Sequence, residues 1–235
     1  MSTLVTYQLK DGIATITMDD GKANVFSPAL QAGLNAALDQ ALADNAIVVL
    51  AGRKGTFCAG FELQTLMAGG LPALDMLNGG FALAEKILKF PKPVIVACTG
   101  HALAMGVFIV LSADYAVGSE GTFKIGANEV AIGIAVPQTA IEICRARLAP
   151  AHFNRAMMTS EIYKPADAVA AGFLDKIVPE SDVLAEAQAI AARYVKLNMT
   201  AYKATKALVR EPLFKAMRET LEADNAAFRV LCKVT

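Results

Sequence analysis

One carboxylate stands apart from the other charged residues of the sequence. Glu129 is the only charged side chain in residues 125–137, the segment IGANEVAIGIAVP. A carboxylate in apolar surroundings is poorly solvated, so burial raises its pKa towards that of an effective general base. Glu129 is therefore a candidate catalytic base. The alternative is a structural glutamate that caps or bridges a turn.

Two glycine-containing segments precede Glu129, and each could bind an anion through its backbone. In the first, residues 54–63 (KGTFCAGFEL), Gly55 and Gly60 allow the backbone to approach a ligand closely. The second, residues 99–108 (TGHALAMGVF), runs from a strand end into a helix, where unpaired amides suit a developing negative charge. Together the two turns could form an oxyanion hole with two donors. Each turn alone is equally consistent with a structural role.

The remaining reactive side chains give weaker signals. His101 could be a base, but no nucleophile motif is near it, and we interpret it as structural. Four cysteines show no CxxC pair and no histidine at zinc-ligand spacing: Cys58, Cys98, Cys144 and Cys232. We interpret them as buried, reduced thiols and expect no metal site. Neither GxGxxG nor GxxxxGK[ST] occurs, so the common phosphate-binding loops are not supported.

Strands and helices alternate over the first 140 residues, which predicts an α/β core with right-handed crossovers. Short apolar or alternating runs predict strands at residues 13–18, 46–50, 94–98 and 113–117. Helices are predicted from Ser27-Pro28 onward, over residues 74–90 and over residues 102–111. The first of these helices presents one apolar face, made of Leu34, Leu38 and Leu42.

The sequence after residue 140 is mainly helical. Its predicted elements are a helix at residues 165–171, a strand in FLDKIV, a helix over residues 182–197 and two helices within residues 201–231. Ser181 is the predicted N-cap of the third of these elements. The last two helices are predicted to separate near Glu211 and Pro212.

Composition excludes several classes of protein. The chain of 235 residues is 55% hydrophobic and 19% charged, so it can bury a core and is not disordered. Lys and Arg, 22 in total, balance 22 Asp and Glu, so no overall charge attracts nucleic acid. The longest apolar run, residues 102–111, is shorter than the roughly 20 residues of a membrane span. With no visible signal peptide, we expect a cytoplasmic protein without a membrane span.

Four segments in register resemble the crotonase (enoyl-CoA hydratase/isomerase) superfamily. FCAGFEL is similar to the family's F-x-A-G-x-D, and GHALAMGVFIVLSADYAV to its G-x-A-x-G-G-G-x-E-x-x-x-x-x-D block. GKANVFS resembles an early segment beside CoA, and PADAVAAGFLDKIVP resembles A-x-x-A-G-L-V-D-x-V-x-P. The resemblance implies an α/β fold: a crotonase-like spiral of ββα units over residues 1–190, then a C-terminal helical trimerisation region over residues 191–235.

The resemblance also implies the ligand and the residues that bind it. The substrate would be an acyl-CoA thioester, with no cofactor beyond this CoA, and the protein a homotrimer or a dimer of trimers. The oxyanion hole would consist of the backbone N–H groups of Phe61 and Met105. CoA or the acyl group would be lined by Lys22, Ala23, Ala59, Gly60, Leu63 and Phe108. Met105 stands where the family has glycine, which keeps the N–H but adds bulk near the acyl path.

Phe108 is the departure that decides the predicted activity. Hydratases of the family have a glutamate at this position, one of two carboxylates that flank a water molecule. Glu129 matches the second carboxylate, and its surroundings are similar to mitochondrial-type Δ3,Δ2-enoyl-CoA isomerase, which keeps only this glutamate. Moving a double bond from C3 to C2 needs one base, which removes a proton from C2 and returns it at C4. The predicted function is therefore an enoyl-CoA isomerase.

Two other interpretations stay open. A hydratase, or another crotonase activity, would use a substitute acid such as Glu62, which replaces the family's Asp, or Glu142. A non-catalytic homologue would bind acyl-CoA or RNA without turnover. The zero net charge and the lack of a helix rich in Lys and Arg argue against RNA.

Overall fold

The apolar runs of the sequence form a six-stranded sheet in the computed structural model, which describes residues 4–234. In spatial order its strands are β1 (Val5–Lys10), β2 (Ile13–Met18), β3 (Ile47–Ala51), β5 (Val94–Cys98), β7 (Tyr115–Ser119) and β9 (Lys176–Val178). β1 is antiparallel to β2, and all other neighbours are parallel. β3 and β5 are buried along their whole length, as their apolar sequences predict. β3 starts one residue and β7 two residues later than predicted.

A second sheet has three parallel strands, β4 (Gly55–Cys58), β6 (Gly100–Leu103) and β8 (Ile125–Gly126). β3, β5 and β7 are followed directly by β4, β6 and β8, so each pair supplies one strand to each sheet. A helix comes next after each pair, and this repeat is the spiral of ββα units that the family resemblance implies. The sequence pattern predicts no strand of the small sheet, because these strands are too short to show a period.

The helices begin and end at signals that are partly visible in the sequence. Their bounds are α1 (Pro28–Ala43), α2 (Leu63–Ala68), α3 (Gly70–Lys89), α4 (Met105–Ser112), α5 (Gln138–Arg145), α6 (Pro150–Met158), α7 (Pro165–Ala171), α8 (Val183–Tyr194) and α9 (Met199–Leu231). Ser27 caps α1 as predicted, because its side chain accepts a hydrogen bond from the Leu30 N–H. Leu42 is 51% exposed, so the predicted apolar face of α1 ends at Leu38.

The helix predicted over residues 102–111 is wrong at its start. Residues 100–103 form β6, and α4 begins only at Met105. Gly100 lies so close to Gly55 that a Cβ at Gly100 would be 2.0 Å from the Gly55 carbonyl carbon. Contact with β4 therefore fixes this segment as a strand, and an apolar run by itself does not show where strand ends and helix begins.

The two helices predicted within residues 201–231 are a single helix, α9, with Pro212 inside it. A proline removes one backbone hydrogen bond, but packing on the core can hold the helix together across it. Arg210 donates to the carbonyls of Leu88 and Ala113 just before the proline, and Leu213 is buried just after it. These tertiary contacts explain why the helix continues.

The start of α8 also differs from its prediction. Asp182 occupies the N-cap position, and Ser181 instead donates its hydroxyl hydrogen to the Asp182 carboxylate. α8 packs on the large sheet through Val183, Ala187 and Ile190. The division of the chain at residue 190 stays a prediction, and that residue lies within α8. Within residues 4–234, no helix is both long and apolar enough to cross a membrane.

Candidate active site

The three candidate segments come together because the strands of the small sheet are parallel. β4 leads to Phe61, β6 to Met105 and β8 to Glu129. Since the carboxyl ends of parallel strands lie at one edge of a sheet, the residues that follow them are neighbours, and this is where α/β proteins bind ligands. The Ala104 N–H donates to the Gly126 carbonyl at 3.1 Å, which joins the second segment to the third.

The first two segments touch at Gly60 and Ala104. A Cβ at Gly60 would be 2.8 Å from the Ala104 Cβ and 3.8 Å from the Met105 backbone nitrogen. Gly60 has a φ of +96°, which favours glycine, and its carbonyl accepts from the Phe26 N–H at 2.7 Å. The peptide groups on either side of this contact carry the N–H groups of Phe61 and Met105.

Among residues 4–234, neither the backbone N–H of Phe61 nor that of Met105 donates a hydrogen bond. Met105 is the first residue of α4, where an N–H has no partner within the helix and carries partial positive charge. The pair can therefore hold an oxyanion.

The start of α4 is strained and closely packed. Ala104 has φ +49° and ψ −125°, a backbone conformation that residues other than glycine rarely adopt. Its carbonyl accepts from the N–H groups of Val107 and Phe108, which closes the first turn of the helix. A Cβ at Gly106 would be 2.3 Å from the Cys58 carbonyl oxygen, so only glycine allows α4 to begin this close to β4.

A short turn holds Glu129 at the edge of the small sheet. Glu129 precedes a 3-10 helix at Val130–Ile132, and its carbonyl accepts from the N–H groups of Ile132 and Ile134. Gly133 ends this turn in the left-handed region, with a φ of +80°. The two backbone bonds fix the position of the Glu129 main chain.

The Glu129 carboxylate is buried without a charged partner. The residue is 7% exposed, and within residues 4–234 its Oε2 atom has no hydrogen-bond partner. Burial raises the pKa of Glu129 from 4.5 to about 7, although a hydrogen bond from its own backbone N–H opposes the shift. On α5, burial and the nearby Glu129 charge both raise the pKa of the Cys144 thiol. The carboxyl group is thus poised to exchange protons at neutral pH.

Aromatic rings fill the space around Phe108, which is 1% exposed. The centroid of the Phe81 ring lies 6.1 Å from that of Phe108 and 6.2 Å from that of Phe61. Phe81 belongs to α3, and the sequence analysis did not identify it as a site residue. The buried positions Leu77, Phe81 and Ala84 follow a helical period, which predicts burial but not which ring faces the site.

Of the residues predicted to line CoA, Ala23 and Ala59 are joined by a backbone hydrogen bond. The Ala59 N–H donates to the Ala23 carbonyl at 3.1 Å, while the exposed Lys22 accepts through its carbonyl from Arg53. Leu63 is the first residue of α2 and is 60% exposed. Sequence reasoning missed the buried Asn24, which bonds to the carbonyls of residues 18 and 57 and so holds this loop against β4. That CoA lies along these residues stays a prediction.

Comparison with known proteins assigns the chain to a family. The sequence model described as "Enoyl-CoA hydratase/isomerase" matches residues 8–234. The chain belongs to the enoyl-CoA hydratase/isomerase family. Carnitinyl-CoA dehydratase of Salmonella enteritidis is 29% identical over 203 residues, which are 84% of this chain and 77% of that protein.

Solved structures of family members confirm the fold class and differ in their stated activities. An enoyl-CoA hydratase of Mycobacterium ulcerans is 42% identical, with a TM-score of 0.92, over 96% of this chain and 99% of that one. A protein of Mycobacterium tuberculosis is 41% identical with the same TM-score, and one of its structures, matched over 96% of this chain and 99% of that one, describes it as an enoyl-CoA isomerase. A second structure of that same protein describes it as a probable enoyl-CoA hydratase. Since the stated activity differs even for one relative, the residues of the site must discriminate between the two.

The substitute acids that a family hydratase would need have other partners. The Glu62 carboxylate accepts a hydrogen bond from the Thr65 hydroxyl, and Glu142 forms an ion pair with Arg145 at 3.2 Å. His101 accepts through Nδ1 from the Lys124 N–H and packs edge-on against the Phe123 ring, which supports a structural role. Burial, and to a lesser extent the Lys124 charge, lowers the pKa of His101.

The cysteines of this family member are all buried and free. Burial raises the pKa of the Cys58 and Cys98 thiols to about 12, which makes both poor nucleophiles at neutral pH. Within residues 4–234, no group of three His, Cys, Asp or Glu side chains is arranged to hold a metal ion. Glu129 thus remains the candidate acid–base group of the site.

Proposed function

We propose that the protein is an enoyl-CoA isomerase that moves a double bond of an acyl-CoA from C3 to C2. The observation that carries this proposal is the single buried carboxylate without a hydrogen-bond partner on Oε2, Glu129, combined with an apolar side chain at Phe108. Isomerisation needs one group that accepts and returns a proton. Hydration also needs a second group to position and activate water, and Phe108 cannot do this.

In the proposed reaction, the Glu129 carboxylate removes a proton from C2. The electrons of the broken C–H bond move towards the thioester carbonyl, and the resulting enolate oxygen accepts hydrogen bonds from the N–H groups of Phe61 and Met105. The electrons then return, the bond between C2 and C3 becomes double, and C4 takes the proton from Glu129. Each oxyanion-hole donor stabilises such a transition state by roughly 3–4 kcal/mol.

The environment of Glu129 suits this role. A pKa of about 7 leaves a substantial fraction of the carboxylate ionised at neutral pH, and the protonated form is acidic enough to return the proton. The buried rings of Phe81 and Phe108 limit the access of water to the enolate. Because the proton that leaves C2 returns at C4, the reaction needs no cofactor beyond the CoA of the substrate.

The arrangement of the other acids supports isomerisation over hydration. Glu62 and Glu142 are the acids that a hydratase could substitute at this site, and each is engaged by a neighbouring side chain. Because relatives are described as a hydratase and a dehydratase, hydration is the activity to assay alongside isomerisation. Homotrimer formation and a cytoplasmic location remain predictions.

A paired assay tests the proposal. Purified protein is given a medium-chain 3-enoyl-CoA and, separately, the trans-2-enoyl-CoA, and the conjugated thioester chromophore is followed. We expect the chromophore to form from the first substrate and to persist in the second. Glu129→Gln should lower kcat by about 10²- to 10⁴-fold, the range typical of a lost acid–base group. Glu142→Gln, the matched control, should keep the wild-type kcat.

Two outcomes would contradict the proposal in different ways. Loss of the chromophore from the 2-enoyl substrate at a rate comparable to isomerisation would mean that a second acid activates water. Near-wild-type isomerase turnover in Glu129→Gln would mean that another group moves the proton.

A further inference from the structure

Phe81 stands between two regions of the protein. Its ring lies close to those of Phe61 and Phe108, which belong to the candidate active site. It also stacks on Phe228 of α9, with ring centroids 5.8 Å apart and an angle of 19° between the planes. Phe81 is 8% exposed and Phe228 is 5% exposed, so the stacked pair is a buried wall.

Phe81 and Phe228 also line a cavity of about 170 Å³ among α3, α5 and α9, which is partly open to solvent. This second cavity does not include the candidate-site residues Phe61, Met105, Phe108 and Glu129 in its lining. Its apolar lining consists of Phe81, Ala82, Met217, Leu221 and Phe228, and its polar lining of Asn78, Glu85, Thr139, Arg218, Asp224 and Asn225. An apolar cavity of about 150 Å³ accommodates a molecule the size of benzene. The volume is therefore sufficient for a segment of hydrocarbon chain.

The charged groups around this cavity are already paired. The Asp224 carboxylate accepts from the N–H groups of Gln138 and Thr139, both at 2.8 Å. Glu85 pairs with Lys89, and Arg218 pairs with Glu211 at 3.0 Å. Hydrogen bonds or ion pairs thus already engage these charged groups, which leaves the apolar part of the lining to contact an apolar occupant.

The end of α9 holds Phe228 in position. The Gly70 N–H donates to the Cys232 carbonyl at 2.6 Å, which attaches the C-terminal end of α9 to the start of α3. A Cβ at Gly69 would be 2.9 Å from the same carbonyl oxygen, so this contact is close. Because α3 carries Phe81, α9 carries Phe228 and the two helices are joined at this point, both rings of the wall are held in place within one chain.

We propose that the Phe81–Phe228 pair limits the acyl-chain length of the substrate by closing off the second cavity. The inference rests on the proposed function, because it takes the acyl chain to lie beside Phe61 and Phe108. An acyl chain that ends before the Phe81 ring fits without rearrangement of the protein. A longer acyl chain must displace Phe81 or Phe228. Removal of either ring would instead join the second cavity to the space that holds the acyl chain.

The test measures chain-length preference in two independent ways. Dissociation constants are determined by calorimetry for butyryl-, hexanoyl-, octanoyl-, decanoyl- and dodecanoyl-CoA, which cannot isomerise, and kcat/KM is determined for 3-enoyl-CoA of matching lengths. We expect Phe81→Ala and Phe228→Ala to favour the longer chains over the shorter by about tenfold or more relative to wild type. Phe81→Leu and Phe228→Leu should shift the preference in the same direction with less risk to folding.

Two controls separate the loss of the wall from general destabilisation. Phe173→Leu removes an equally buried ring that packs on Tyr163, away from the wall, and should leave the chain-length preference unchanged. Ala82→Phe places a ring in the second cavity at another of its lining residues. Alone it should have no effect on the preference, and combined with Phe81→Ala it should cancel the gain for long chains.

Each outcome supports or overturns the inference. A shifted binding preference supports the wall even if no variant isomerises, in which case only the proposed function fails. If Phe81→Leu and Phe228→Leu fold and isomerise normally but keep the wild-type chain-length preference, the role of the wall is wrong and the proposed function stands. If none of the acyl-CoA compounds binds, both proposals are overturned.

Discussion

Glu129 is buried and the Asp114 side chain is only 12% exposed, yet the protein surrounds these two carboxylates in opposite ways. Asp114 accepts from the Val94 N–H at 2.7 Å and forms ion pairs with Lys206 at 2.8 Å and Arg210 at 2.9 Å. Glu129 has neither a cationic partner nor, within residues 4–234, any hydrogen-bond partner for Oε2. One charge is fully compensated, while the other is held at the edge of the small sheet without compensation.

The difference separates a structural carboxylate from a reactive one. Asp114 connects the end of α4 to β5 and to α9, so its ionisation stabilises the fold. Ionisation of Glu129 opposes folding, because the hydration that the charged form loses on burial outweighs the one hydrogen bond from its own backbone N–H. Unfavourable local environments of this kind are typical of functional sites. Removal of the two charges should therefore change stability in opposite directions.

The largest expected effect is the destabilisation caused by Asp114→Asn. This substitution leaves two cationic side chains buried without a counter-charge, which typically lowers the free energy of unfolding by about 3–5 kcal/mol. Burial already lowers the pKa of Lys206 to about 8, so Lys206 can lose its proton, whereas Arg210 stays charged. Urea unfolding at pH 7 and fixed protein concentration measures the change.

The double variant Asp114→Asn with Lys206→Met is the control for this prediction. It removes one of the two stranded charges and should recover part of the lost stability, which reveals the coupling between the residues. Unchanged stability in Asp114→Asn would show that the ion pairs with Lys206 and Arg210 contribute nothing, and the contrast with Glu129 would disappear.

Glu129→Gln should stabilise the protein at alkaline pH. Below about pH 4.5 the Glu129 carboxyl group is protonated in both the folded and the unfolded states. Between pH 4.5 and about 7 only the unfolded state releases the proton, so wild-type stability falls as pH rises through this range. The full difference corresponds to about 3 kcal/mol, and Glu129→Gln should gain this amount at pH 8 and almost nothing at pH 4.5. Urea unfolding at both pH values measures it.

Glu142→Gln provides the matched control, since its carboxylate pairs with Arg145 at a partly exposed position. Its stability should change by about 0.5 kcal/mol or less at either pH. If Glu129→Gln were less stable than wild type at pH 8, Glu129 would have a favourable partner and its assignment as an uncompensated base would be wrong.

The sequence predicts most of the fold because long elements leave periodic signals. The buried strands β3 and β5 and the cap of α1 at Ser27 follow directly from apolar runs and local chemistry. The small sheet and the unbroken α9 do not, because both depend on distant contacts. Gly100 is a strand residue only because Gly55 lies against it, and Pro212 stays helical only because α9 packs on the core.

The site shows the same division between local and tertiary information. The uncharged surroundings of Glu129 are visible in the sequence, and its burial agrees with them. Phe81 and Phe228 lie on helices about 150 residues apart, and only the fold stacks their rings. Asn24 was missed for a similar reason, since its hydrogen bonds to residue 57 connect segments that no local pattern relates.

Ala104→Gly should change the free energy of unfolding least of the three substitutions. It tests whether the strained backbone of Ala104 is a second feature of the site that lowers stability. Ala104 adopts a φ of +49° that costs a residue with a Cβ roughly 1–3 kcal/mol, whereas glycine loses about 0.5–1 kcal/mol through the greater entropy of its unfolded chain. The expected net gain in the free energy of unfolding is about 1 kcal/mol, measured by urea unfolding. The same substitution at the exposed helical residue Ala36 should instead destabilise by about 1 kcal/mol. Equal losses of stability at both positions would mean that the backbone of Ala104 is unstrained. Of Ala104 and Glu129, only Glu129 would then lower the stability of the protein.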